Sequence, residues 1–210
     1  MTNITVYGTP ISTYVRTVRL LLEEAGVDYR LQDVDFFKGE TNTPEYRAKH
    51  PFGKVPVLEV DGAVIYETAA IVGYLDAVVA ANKFTPSDSL LQARMRQIMG
   101  IIDSYLYSLA ISTIVIQRLI VPRQGGQPDE EKIQNAIAPA KTAVEAIEAI
   151  AVGSPYLLGS EITIADLYLI PIFIYFSRTP EFQAVTVQTP KLLTWWNHAS
   201  NLPSIKKVSS

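Results

Sequence analysis

Three short segments in the first third of the chain carry residues suited to holding a small, charged, extended ligand. The first is Gly8-Thr9-Pro10-Ile11-Ser12-Thr13-Tyr14, a turn that leads into a helical pattern. A hydroxyl there meets unpaired N–H groups and the positive end of a helix dipole, which favours an anion: a carboxylate, a phosphate or a thiolate. Ser12 or Thr13 equally suits a plain helix N-cap. The second is Lys54-Val55-Pro56. With a cis Val55–Pro56 bond, the chain turns sharply and Val55 can offer its own N–H and C=O to an extended ligand backbone. With a trans bond, the proline merely opens an edge strand. The third is Glu67-Thr68, where a helix should begin. The helix N-terminus and Thr68 suit a carboxylate and Glu67 suits an ammonium, so an amino-acid head group satisfies both. Taken singly, Glu67 also reads as a first-turn residue opposing the helix dipole.

Composition narrows the chemistry further. The 210-residue chain has no cysteine, which excludes disulfides, thiolate metal sites and a cysteine nucleophile. Its only histidines are His50 and His198, too few for a multi-histidine metal site, so no metal is expected. Net charge is −3 with no basic block, which argues against nucleic acid. Apolar residues make up 48% and charged residues 19%, so a globular core is expected. The slightly positive mean hydropathy suggests apolar surface reserved for a partner, most simply a second copy. The start, Met1-Thr2-Asn3, has neither a basic residue nor a signal-peptide core, and a cytoplasmic location is the expectation. The apolar run 101–121 approaches a membrane span in length. Asp103, Gln117 and Arg118 interrupt it, and it reads as a buried core helix.

The elements that must position these segments follow from local pattern. Ile4 to Tyr7 reads as a strand, 15–24 as a helix stopped by Gly26, and Tyr29 to Val34 as a second strand, a βαβ order that favours a parallel pair. A loop from Asp35 to about Thr43 precedes a short helix near Pro44 to Lys49. Val57 to Val60 and Ala63 to Tyr66 flank Asp61-Gly62, a strong hairpin signal. Helical spacing returns from Thr68 to Val79, completing a β-α-β-α-β-β-α domain over residues 1–80. Residues 81–89 read as a linker, and residues 90–210 as an all-helical domain with long patterns at 90–121, 128–151, 164–177 and 190–200. Thr163-Ile164-Ala165-Asp166 is a capping box, a folding signal rather than a catalytic acid.

Taken in order, these residues resemble a cytosolic glutathione transferase. Tyr7 to Thr13, Pro51-Phe52-Gly53-Lys54-Val55-Pro56 and Glu67-Thr68-Ala69-Ala70-Ile71 are similar to that family's three glutathione-site segments. Tyr156-Leu157-Leu158-Gly159 with Thr163 to Leu167 resembles its helical-domain signature, and Trp196 and Leu202-Pro203-Ser204 its usual ending. The Ser12 turn and Ile170-Pro171 resemble the serine-type members, especially the phi class of plants and its bacterial relatives.

The resemblance implies an α/β thioredoxin-like N-terminal domain, an all-helical second domain, a homodimer and cis geometry at Pro56. It implies Ser12 as the catalytic hydroxyl, hydrogen-bonded to the glutathione sulfur, with Tyr7 and Thr13 as rivals. It implies glutathione binding by Ser12, Asn42, Lys54, Val55, Glu67 and Thr68. Glu67 and Thr68 take the γ-glutamyl end, Val55 the cysteinyl backbone and Lys54 the glycyl carboxylate. Glutathione is then a co-substrate, and no separate cofactor is expected. A small apolar electrophile is the second substrate, with a pocket expected from Ile11, Tyr14, Phe36, Tyr105, Ser108 and Ser112. Two positions depart from the phi pattern: Thr41-Asn42-Thr43 lacks the usual basic residues, and His50 replaces the usual asparagine. A non-catalytic ligand-binding or assembly module on the same fold is the alternative reading.

Overall fold

The computed structural model describes residues 3–209. The chain folds into two compact units. One runs to Phe84 and takes in the chain again from Leu202; the other is Thr85–Asn201.

The first unit is built on a four-stranded mixed sheet. Strand β1 (Ile4–Tyr7) leads through a turn to helix α1 (Thr13–Ala25), then to β2 (Arg30–Gln32). A single 3-10 turn (Glu40–Asn42) precedes helix α2 (Pro44–Lys49). The hairpin β3 (Val57–Val60) and β4 (Ala63–Tyr66) ends at helix α3 (Thr68–Val79). Strand order is β2-β1-β3-β4, parallel between β1 and β2 and antiparallel elsewhere. Helix α1 buries Val15, Val18, Leu20, Leu21 and Leu22 and packs on α3. Gly26 closes it at φ 68°, a left-handed conformation that glycine adopts without a Cβ clash, and its N–H returns to the Glu23 and Leu22 carbonyls.

Strand β2 is shorter than the 29–34 pattern suggests. It pairs only with Thr5 to Tyr7, so its ladder ends where β1 ends. Val34 leaves the sheet edge and packs with Tyr46 and Val57 in the core.

In the second unit, helix α4 (Ser89–Ile120) is 32 residues long. It is long and apolar enough to cross a membrane by length and composition, but one face is core. Met95, Ile98, Met99, Ile102, Leu106, Ala110, Ile114 and Val115 are buried along it. From Ile102 to Leu106 and from Ala110 to Ile120 its hydrogen bonds run from residue i to i+5, as in Val121 N–H to the Ile116 carbonyl at 2.9 Å. Helices α5 (Glu130–Ile150), α6 (Ile164–Phe176), α7 (Glu181–Thr186) and α8 (Pro190–Ala199) complete the unit. Asp166 lies at its centre, fully buried. Its carboxylate accepts from the backbone N–H of Thr163 (2.7 Å) and Leu157 (2.8 Å), the Thr163 hydroxyl (2.7 Å) and the Trp195 indole (2.8 Å). Burial pushes this carboxyl up from its ordinary range, and the four donors pull it back.

Two short helices, α7 and the final α9 (Pro203–Ser209), lie outside the sequence expectation. Fewer than two full turns leave too little period to read. Helix α9 groups with the α/β unit, not with the helical domain expected over 90–210. Arg19, buried on α1, donates to the Lys207 carbonyl at 3.0 Å and the Val208 carbonyl at 3.2 Å and so holds that end.

Candidate functional site

The sheet register brings the three sequence segments to one end of the sheet. Tyr7 pairs with Val57, and Val57 pairs with Tyr66. These three residues form one row across β1, β3 and β4. The residues just beyond the row are Gly8 after β1, Val55-Pro56 before β3, and Glu67-Thr68 after β4. Gly8 permits the closest approach: a Cβ there would fall 2.4 Å from Val15 Cγ2 and 3.1 Å from Val55 Cβ. A side chain at position 8 would therefore push the Ser12 turn and the Val55 segment apart.

Ser12 is the N-cap of α1, with φ −69° and ψ 131°. Its Oγ accepts from the Val15 N–H at 3.4 Å, which leaves its own O–H proton free to be donated. The Ser12 N–H bonds to the Thr9 carbonyl at 3.1 Å, and Arg16 Nε donates to the Pro10 carbonyl at 2.9 Å, so the turn is held from both sides. The two rival hydroxyls sit differently. The Thr13 hydroxyl is buried with no hydrogen-bond partner. The Tyr7 hydroxyl donates to Glu59 at 3.0 Å. Lys49 also donates to Glu59, at 2.7 Å, and lies 4.7 Å above the Tyr7 ring. These two hydrogen bonds, from Lys49 first and then Tyr7, hold the Glu59 carboxyl below its ordinary value.

The Val55–Pro56 bond is cis. Among the described residues, neither the N–H nor the C=O of Val55 has a hydrogen-bond partner. Val55 packs on the buried cluster of Val34, Tyr46 and Val57. The Tyr46 hydroxyl, its ionisation pushed up by burial, donates to the Lys54 carbonyl at 2.8 Å and anchors this segment. The Lys54 side chain is exposed and pairs with no carboxylate among the described residues.

Glu67 is the N-cap of α3 at φ 70°, in the left-handed region that disfavours residues with a Cβ. Such local strain persists where the surroundings fix it, most often at binding sites. Glu67 is exposed and Thr68 is buried beside it. The arrangement offers two helix N-termini, an unpaired peptide group, a carboxylate and a free hydroxyl proton within one cluster. It can hold an extended, zwitterionic peptide and stabilise an anion at Ser12.

Other expected residues fall as follows. Ile11 is 46% exposed and Phe36 is 37% exposed, with Tyr14 half-buried beside the turn. Tyr105, Ser108 and Ser112 belong to the helical unit, on the exposed face of α4 opposite its buried stripe. The His50 ring is buried at 2% exposure, lies 4.8 Å from the Tyr66 ring, and leaves Nδ1 unpaired. Asn42 is exposed, and its Oδ1 accepts from Arg47 Nη2 at 2.8 Å. Sequence reading passed over Arg47 and Tyr46. The one signal pointing to Arg47 was Gly53, whose meaning depends on what packs against it.

Comparison with known proteins accords with this geometry. Residues 11–78 match the family model for the glutathione S-transferase N-terminal domain, and residues 130–197 match that for the C-terminal domain. The chain is 31% identical to a probable glutathione S-transferase, GSTF1, of Oryza sativa subsp. japonica, over 100% of this chain and 97% of that one. Glutathione transferase F7 from Populus trichocarpa superposes with a TM-score of 0.85 at 30% identity, covering 98% and 97% of the two chains. Glutathione S-transferase I from mais, solved with an atrazine glutathione conjugate, superposes with a TM-score of 0.83 at 26% identity, covering 99% and 96%.

Proposed function

The chain belongs to the glutathione S-transferase family, and from that premise we propose that Ser12 activates the thiol of glutathione for attack on an apolar electrophile. Glutathione transfer is the activity of its full-length relatives. The free O–H of Ser12 donates to the sulfur. A thiol with an ordinary pKa of about 8.5 is mostly protonated at neutral pH, and each unit of lowering requires about 1.4 kcal/mol. One charge-assisted hydrogen bond beside the N-terminus of α1 is of that size. The thiol proton passes to solvent, and the sulfur's electron pair forms the new carbon–sulfur bond as the electrophile's leaving group departs with its bonding pair, or as its double bond takes up the pair and is then protonated. Ser12 itself forms no covalent bond. Holding both reactants side by side supplies the rest of the acceleration.

The observation that carries this reading is the Tyr7–Val57–Tyr66 row, beyond which the Ser12 turn, the open peptide of Val55 and Glu67-Thr68 follow together. Val55 pairs with the cysteinyl backbone. Glu67 takes the γ-glutamyl ammonium and Thr68, at the α3 N-terminus, its carboxylate. Lys54 and Asn42 face the glycyl end. Ile11, Tyr14 and Phe36 are the proposed electrophile contacts on the same unit, and the conjugate held by the mais relative supports an apolar second substrate. The serine-type, phi-like assignment rests on Ser12 and on the plant relatives. We further propose a homodimer.

Retention on immobilised glutathione, followed by conjugation of a chlorinated nitrobenzene, tests the reading. Ser12→Ala should lower kcat about ten- to a hundred-fold, the worth of one hydrogen bond to a charged group, with the glutathione KM little changed. Turnover equal to that of the unmodified protein would remove Ser12 from the mechanism.

A further inference from the structure

Two cations near Val55 have no carboxylate partner among the described residues: Lys54 and Arg47. Lys38 pairs with Asp35 and Lys49 with Glu59. Lys54 is a single exposed ammonium on a flexible stem. Arg47, on the last turn of α2, is held in place. Nη1 donates to the Pro51 carbonyl and Nη2 to Asn42 Oδ1, each at 2.8 Å. The guanidinium lies against the α-carbon of Gly53. A Cβ at that position would fall 2.8 Å from Arg47 Cζ, 2.9 Å from Nε and 2.8 Å from the Thr41 carbonyl. Gly53, at φ 59°, thus serves two needs: its turn is left-handed, and its missing side chain leaves the space that the guanidinium fills.

This arrangement supplies from α2 the positive charge that Thr41-Asn42-Thr43 lacks. Two of the five guanidinium N–H groups are committed to oxygens of the loop, and the others are available. Because Asn42 accepts from Arg47 through its oxygen, its amide nitrogen is left as a donor. A fixed guanidinium next to an amide N–H matches a carboxylate, which can take two parallel hydrogen bonds. The loop 50–53 continues directly into Lys54-Val55, so the pair stands at the residues preceding the open peptide of Val55, whereas Glu67 and Thr68 lie across the hairpin from it.

We propose that Arg47, with Asn42, binds the carboxylate at the glycyl end of glutathione and makes the site selective for thiol peptides with a free C-terminal carboxylate. This rests on the glutathione reading above. Lys54 adds field but not geometry.

The test is calorimetric titration of the full-length protein with glutathione and with its glycyl monoethyl ester, which keeps the thiol and head group but removes this charge. The unmodified protein should bind the acid about ten-fold or more tighter than the ester, as expected for a hydrogen bond to a charged group. Arg47→Ala, and Arg47→Gln as a variant that keeps the stem and a donor for Asn42, should weaken the acid about ten-fold and leave the ester nearly unchanged. Equal weakening of both ligands would assign Arg47 a purely structural role in the 50–53 loop and overturn the proposal. Discrimination that survives in both Arg47 variants but vanishes in Lys54→Ala would overturn it too. An unmodified protein that binds both thiols equally well removes the role of Arg47 and leaves the transferase reading standing. One that binds neither removes both.

Discussion

His50 illustrates how one residue can tie the site to solution conditions. Its ring is buried beside Tyr66 and Phe52. Burial lowers its pKa from the ordinary value; Glu67 opposes this, and Arg47 and Lys54 add to it. The unfolded chain therefore takes up a proton that the folded chain resists. The stability from a neutral His50 is present above about pH 6.5, the ordinary histidine value, and is lost as pH falls through the lower folded value. Thermal unfolding followed from about pH 7.5 to pH 5 should show a fall in Tm that His50→Asn reduces. Parallel curves for the two proteins would show that His50 carries no such linkage. Glu67, the residue directly after Tyr66 at the end of β4, differs in kind: its cost is conformational, at φ 70°, and its return is an exposed carboxylate at a helix start.

At the scale of elements, α6 and its neighbours depend on Asp166. The Thr163 capping box was legible because its signal is local: a hydroxyl residue three positions before an acid, ahead of an apolar run. The other two ligands of the carboxylate were not. The Leu157 N–H and the Trp195 indole come from nine and twenty-nine residues away. Asp166→Ala should thus cost more than a cap. It leaves buried N–H groups of Leu157, Thr163 and Trp195 without an acceptor, at about 1–3 kcal/mol each. A loss of about 3 kcal/mol or more in urea unfolding is expected. A loss near 1 kcal/mol, the size of an ordinary N-cap, would mean that the other donors find new partners. The hairpin of β3 and β4 was readable for the same local reason as the box, from Asp61-Gly62. The true length of β2 was not, because its partner strand sets it.

At the scale of the whole molecule, the α/β unit leaves large apolar side chains on its surface: Phe52, Val64, Tyr66 and Val78. The proposed second copy would cover them without any change of fold. Light scattering at micromolar concentration should return about twice the chain mass of 23.2 kDa. A single-chain mass would refute the homodimer. The chain's path also differs from its order in sequence. Arg19 draws the last helix back to the first unit through two backbone carbonyls, so the C-terminal residues stabilise the domain that begins the chain.

The sequence by itself determined the α/β-then-helical order, the hairpin, the helix caps at Ser12 and Thr163, and the three segments that meet at the site. Each of these depends on spacing within a few residues, where turn chemistry and periodicity act directly. Tertiary structure decided which groups those segments leave open. Tyr7 is tied to Glu59, Thr13 is buried, and Ser12 keeps a free proton. It also decided that Gly53 makes room for Arg47, a residue that no motif marked. Hydrogen-bond partners and close approaches depend on how the backbone folds back on itself, over six residues for Gly53 and Arg47 and over fifty-two for Tyr7 and Glu59, and residue spacing alone does not state which groups meet.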